Sequence, residues 1–119
     1  MENVAYIEVD DINLDGTLKP YVNNGKPVIM MCYGNFCGYC TKAKPAFEKL
    51  AKTETQFVWA AILTDGEESE KAAAKFIKMW NKEHRGVPDY LGFDKNGKFA
   101  KVHSGGRDEK SLMDFCNSL

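Results

Sequence analysis

Pro27-Val28-Ile29-Met30-Met31-Cys32-Tyr33-Gly34-Asn35-Phe36-Cys37-Gly38-Tyr39-Cys40 is the stretch on which the fold turns. Its first half is a continuous apolar run, and a run of that length suits a strand covered on both faces. Gly34-Asn35-Phe36 breaks it. From Gly38 to Lys52 the pattern is helical, with Ala43, Phe47, Leu50 and Ala51 at i, i+4, i+7 and i+8. Pro45 falls inside that helix, removes a backbone donor and predicts a kink. A buried strand that feeds a helix is the unit of an α/β fold, and two cysteines stand at its turn.

Downstream the unit repeats. Phe57–Leu63 predicts a second buried strand, ended by Thr64, Asp65 and Gly66. A helix over Glu67–Lys82 should follow, turning Ala72, Ala73, Phe76, Ile77 and Trp80 to the core, with Glu67, Glu68 and Glu70 in its first turn and Lys78 and Lys82 near its end. Gly86-Val87-Pro88 opens a strand over Asp89–Phe93. Asn96-Gly97 signals a hairpin, and Lys98–His103 is its returning strand. Asp108 can cap a last helix that sets Leu112, Phe115, Cys116 and Leu119 on one face. Upstream, Val4–Val9 reads as a short strand and residues 17–23 as a short helix. The order predicts a central mixed sheet of about five strands flanked on both faces by about four helices.

Composition sets the outer bounds. One domain over residues 1–119 is large enough to bury a core without staples. Hydrophobic residues make up 44% and charged residues 28%, with a net charge of −1. This balance holds no basic field for nucleic acid. No apolar run approaches the roughly 18 residues of a membrane helix. The N-terminal segment Met1-Glu2-Asn3-Val4-Ala5-Tyr6 is acidic and mixed, unlike a secretory signal, so the expected location is cytoplasmic. The expected partners therefore include neither nucleic acid nor membrane, and the chain is expected to be a monomer.

Four cysteines, Cys32, Cys37, Cys40 and Cys116, are too few for a disulfide scaffold in a chain of this size. Cys37 and Cys40 stand one helical turn apart, a spacing that can bring their Cα atoms within the roughly 4.4–6.8 Å of a disulfide. The strand delivers Cys37 to the carboxyl end of the sheet and to the N-terminus of the next helix, where unpaired N–H groups and the dipole favour a thiolate. An ordinary thiol is only about 3% thiolate at pH 7, and bringing its pKa to about 7 makes it roughly half. Cys37, at the tip, is the candidate nucleophile. Cys40, one turn in, is the candidate resolving thiol. The same pair could be half of a zinc site or a shared iron–sulfur site. Zinc would draw its other ligands from His84, His103, Cys32 and Cys116, none of which forms a second close pair.

Four features in order resemble the thioredoxin family, over nearly the whole chain. They are Cys37-Gly38-Tyr39-Cys40 after the strand Val28–Tyr33, Pro45 beyond Cys40, Arg85-Gly86-Val87-Pro88, and Phe93-Asp94-Lys95-Asn96-Gly97 followed by Gly105. The resemblance implies a thioredoxin fold and a thiol–disulfide oxidoreductase, most simply a protein-disulfide reductase. Disulfide oxidase or isomerase activity and a non-catalytic binding module are the alternatives. It implies that Pro88 is cis beside the cysteines. The Val87 backbone would pair with an extended substrate, and Phe36, Gly38, Tyr39, Val87, Pro88 and Gly105, with Gly86, would form the substrate surface. No metal or bound cofactor is implied. The implied partners are protein disulfides and an electron donor such as a thioredoxin reductase or glutathione.

The departures from the family pattern are specific. Phe36 stands where thioredoxins usually carry tryptophan, and Gly38-Tyr39 where they carry Gly-Pro; a Gly-Tyr pair also occurs in bacterial periplasmic isomerases of the same fold. Met31 matches the family's buried aspartate and Ala61 the lysine that partners it, so both charges are gone together. Cys32, Cys116, Trp59 and Trp80 read as core residues. His84 and His103 fall in or beside loops and read as solvated.

Overall fold

A computed structural model describes all 119 residues. In chain order the strands are β1 (Ala5–Tyr6), β2 (Val28–Tyr33), β3 (Val58–Leu63), β4 (Asp89–Phe93) and β5 (Phe99–His103). The helices are α1 (Pro20–Asn23), α2 (Gly38–Thr53), α3 (Glu68–Ala74), α4 (Ile77–Trp80) and α5 (Glu109–Cys116). The strands form one sheet in the order β1-β3-β2-β4-β5. β1 and β2 run parallel to β3, whereas β4 is antiparallel to both β2 and β5. This is the mixed sheet that the alternation of apolar runs and helical patterns predicts.

The continuous apolar run explains why β2 is central. All six of its residues are buried. Successive side chains point to opposite faces, so Ile29, Met31 and Tyr33 join one core cluster while Val28, Met30 and Cys32 join the other. The first cluster packs α2 and α5 through Phe47, Leu50, Leu112 and Phe115; the second packs Ile7, Leu18, Ala73, Ile77 and Trp80. Phe47 has no exposure and meets Trp59 edge-on, with ring centroids 5.2 Å apart. Burying one such ring contributes about 1.5–3 kcal/mol.

Three elements differ from the sequence pattern. The first strand is shorter, because Val9–Asp11 turn into a 3-10 helix in which the Asp11 carboxylate accepts the Glu8 N–H at 2.8 Å and the Glu8 carbonyl accepts the Asp11 N–H at 3.0 Å. The helix expected over residues 17–23 is the single turn α1. The helix expected over 67–82 is two helices. At the break, Lys75 and Phe76 donate to Ala72 and Ala73 at 3.3 and 3.0 Å, an i→i−3 tightening. Trp80 then sits with its Nε1–H on the Gly16 carbonyl at 2.8 Å and its ring edge-on to Phe93.

The other signals hold at residue level. Asp108 caps α5 by accepting from the Ser111 N–H. The Asn96-Gly97 hairpin places Gly97 at φ +79°, where a Cβ would collide with the Leu18 carbonyl oxygen. No helix is long and apolar enough to cross a membrane.

Candidate active site

The loop that carries the cysteines is fixed from both sides. The Tyr33 carbonyl accepts the Thr64 N–H at 2.9 Å, which joins the ends of β2 and β3. The Asn35 N–H then donates to both carboxylate oxygens of Asp65 at 2.9 Å. Cys37 N–H reaches back to the Gly34 carbonyl at 3.3 Å. Cys37 is therefore delivered as the N-cap of α2, with extended backbone, and the Cys40 N–H points at its sulfur from 3.1 Å. That N–H is one of the unpaired donors of a helix start, and it favours negative charge on the atom it faces.

Cys37 and Cys40 are joined as a disulfide, with Cα atoms 5.1 Å apart. Cys37 is half-buried whereas Cys40 has no exposure. The Val87 carbonyl oxygen lies 3.5 Å from Cys37 Sγ, and the Val87–Pro88 peptide is cis. Phe36 is 98% exposed and Tyr39 69%. Gly38 is exposed between the cysteines, and Val87 and Pro88 are half-buried. Gly105 lies in the exposed loop after β5, two positions before Arg107, whose guanidinium stands 5.8 Å from the centre of the Tyr39 ring. Arg107 carries no spacing signal in the sequence; the fold alone brings it to Tyr39.

Behind the disulfide the core is apolar. Met31 and Ala61 are neighbours in the β2–β3 register, both fully buried, in the cluster that also holds Cys40. The remaining thiols lie apart on opposite faces of the sheet, Cys32 in one core cluster and Cys116 in the other. Burial pushes the Cys32 thiol well up, and the Asp89 charge adds to it. Burial likewise pushes Cys116 up to about 12. A thiol with that pKa is only about one part in ten thousand thiolate at pH 8. After reduction of the folded protein, iodoacetamide is thus expected to label Cys37 first and to spare Cys32 and Cys116 until denaturant is added. Mass spectrometry of the alkylated peptides checks this, and early labelling of Cys116 would contradict it.

Both histidines have partners, and of the two only His84 is withdrawn from solvent, since His103 is half-buried. His84 Nδ1 lies 2.8 Å from Asp89 Oδ2, with both side chains mostly buried. His103 packs on Phe115, ring centroids 4.8 Å apart, and its Nε2 is 2.7 Å from the Gly106 carbonyl oxygen. Each finds its partner across a loop that the sequence alone does not close.

The Thioredoxin family model matches residues 12–118. The chain belongs to the thioredoxin family. Among its relatives is a protein of Invertebrate iridescent virus 6 described as thioredoxin-like, 453L; it is 27% identical over 125 residues, covering 94% of this chain and 91% of that one. Protein disulfide-isomerase erp38 of Neurospora crassa is 28% identical over 106 residues, covering 87% of this chain but 27% of the isomerase. The chain thus spans about a quarter of that relative's length. A chain of the solved complex of ferredoxin:thioredoxin reductase with thioredoxin f2 superposes with a TM-score of 0.69 at 20% identity, over 97% of this chain and 93% of that one. The sheet order and helices described above are the thioredoxin fold. The protein is a thioredoxin-fold member of a thiol–disulfide oxidoreductase family, with its disulfide at Cys37 and Cys40.

Proposed function

We propose that this chain reduces disulfides in protein substrates through Cys37 and Cys40. The observation that carries the proposal is the asymmetry of the pair: a half-exposed sulfur facing a helix N–H, joined to a fully buried one. In the reduced form the Cys37 thiolate attacks one sulfur of a substrate disulfide, forming a mixed disulfide and releasing the other substrate sulfur as a thiolate. The Cys40 thiolate then attacks Cys37 Sγ, closes the Cys37–Cys40 bond and expels the second substrate thiolate. Two electrons pass to the substrate, both released thiolates take up protons, and the pair is left oxidised. A donor dithiol, from a thioredoxin-reductase-type enzyme, or glutathione restores it. The two sulfurs carry both electrons, so the cycle uses no metal and no bound cofactor.

Phe36, Gly38, Tyr39, Val87, Pro88 and Gly105 are the proposed docking surface, with the Val87 backbone pairing to an extended substrate segment. Cys32 and Cys116 stay free as buried thiols, which suits a reducing, cytoplasmic setting. The proposed active unit is a single chain.

A second reading is disulfide isomerisation or oxidation. The isomerase relative and the Gly38-Tyr39 pair favour it. Both directions share one chemistry and differ in how strongly the thiolate is stabilised. The reductase reading places the pair near the reducing end, at about the −270 mV characteristic of thioredoxin itself. Equilibration of the pair with glutathione and dithiothreitol buffers measures the value. A result between about −180 and −120 mV would replace the reductase by the isomerase or oxidase reading.

A further inference from the structure

The segment between α4 and β4 carries a side-chain network that sulfur exchange itself does not use. Asp89, the first residue of β4, draws three partners. Asn81 Nδ2 donates to Oδ2 at 3.0 Å, His84 Nδ1 lies 2.8 Å from the same oxygen, and the Tyr90 N–H donates to Oδ1 at 3.0 Å. Asn81 is held by the loop in turn: its Oδ1 accepts the Glu83 N–H and its carbonyl the His84 N–H, each at 3.1 Å. The His84 and Asp89 side chains are only 14% and 13% exposed. A carboxylate removed that far from water is costly unless it is bonded. Here two of its partners come from the segment leading into the Val87-Pro88 turn.

The His84–Asp89 contact closes a ring around Arg85-Gly86-Val87-Pro88. Arg85 and Gly86 are exposed, and a Cβ built at Gly86 would meet nothing within 4 Å. Packing therefore does not hold that half of the segment. The other half carries the Val87 carbonyl, 3.5 Å from Cys37 Sγ. Asp89 also pairs with Cys32 in the β4–β2 register, and β2 is the strand that delivers Cys37. The clamp thus ties the Val87 backbone to the same rigid element that positions the nucleophile.

We propose that Asn81, His84 and Asp89 are positioning residues for protein-disulfide substrates, holding the Val87 backbone where a docked strand presents its disulfide to Cys37. The inference rests on the protein-disulfide exchange proposed above. Without the clamp, the Arg85–Pro88 segment must be ordered when substrate binds, and that ordering weakens binding. A small aromatic disulfide needs no strand pairing and should not sense the clamp.

His84→Leu removes the ring nitrogen and keeps apolar bulk, while His84→Asn returns a donor near the Nδ1 position. Steady-state kinetics are compared on insulin and on dithiobis(nitrobenzoate). His84→Leu is expected to raise KM for insulin about tenfold, the scale of one lost hydrogen bond to a charged group. Its kcat and its rate with the small disulfide should stay at the wild-type level, and His84→Asn should restore KM. An unchanged KM in His84→Leu, or equal losses on both substrates, overturns the clamp. Asn81→Ser removes one donor and leaves His84 and Asp89 in place, so it carries the same test if His84→Leu does not fold: a raised insulin KM alone supports the clamp, and no rise overturns it. A wild type that reacts with the small disulfide but not with insulin would overturn the exchange reading and the inference together. A working wild type with an unmoved variant overturns the inference alone.

Discussion

Cys37→Ser is expected to lower protein-disulfide reduction by at least about 10³-fold, the scale seen when an attacking nucleophile is removed. Cys40→Ser is expected to stop after one attack. Burial separates the two roles. Cys37 is the sulfur an incoming disulfide can reach, and the Cys40 N–H faces it. A serine hydroxyl at position 37 stays protonated and forms no sulfur–sulfur bond, so no mixed disulfide begins. Cys40 has no exposure and meets a substrate only through Cys37. Removing it leaves the mixed disulfide with no internal attacker. Insulin turbidity measures the first loss. A covalent complex on a non-reducing gel, dissolved by dithiothreitol, reveals the second. Retained insulin reduction in Cys37→Ser, or a trapped complex in Cys37→Ser rather than Cys40→Ser, would assign the attack to another thiol.

Those roles were legible in the sequence because they depend on local order. The run Val28–Tyr33 needs both faces covered, and that need places it centrally in the sheet. The break at Gly34-Asn35-Phe36 then puts Cys37 at a helix start whatever the rest of the chain does. Asp108 and Asn96-Gly97 act over three or four residues and were equally readable. What stayed hidden depends on distant partners. Nothing local ends a helix at Ala74, since neither glycine nor proline stands there. The break accompanies the seating of Trp80 on the carbonyl of Gly16, far back in the chain. His84 looked solvated because it lies in a polar loop; its partner Asp89 reaches it only once that loop has folded back. Arg107 meets Tyr39 for the same kind of reason: the loop before α5 and the first turn of α2 come together only in the finished fold.

Met31→Asp is expected to cost about 3–5 kcal/mol of stability at neutral pH, the scale of an uncompensated buried charge. Position 31 has no exposure, and its neighbour in the β3 register is Ala61, which offers no cation. Burial would raise the introduced carboxyl's pKa above its unfolded value. The unfolded state then gives up its proton more readily than the folded one, so stability falls as pH rises past the ordinary carboxylate range. Urea unfolding at pH 4 and pH 8 should show the larger deficit at pH 8, and Met31→Asn, which cannot ionise, should show no such widening. The same substitution bears on turnover. Cys40 must lose its proton to attack Cys37, and it shares its apolar cluster with Met31. With no carboxylate there, the proton leaves through water or another group. A carboxylate at position 31 would offer a nearby acceptor once ionised, and the pH profile of turnover should gain a limb at its pKa. A profile that superposes on the wild type's, in a protein shown to be folded, would mean that the proton of Cys40 leaves by a route indifferent to position 31.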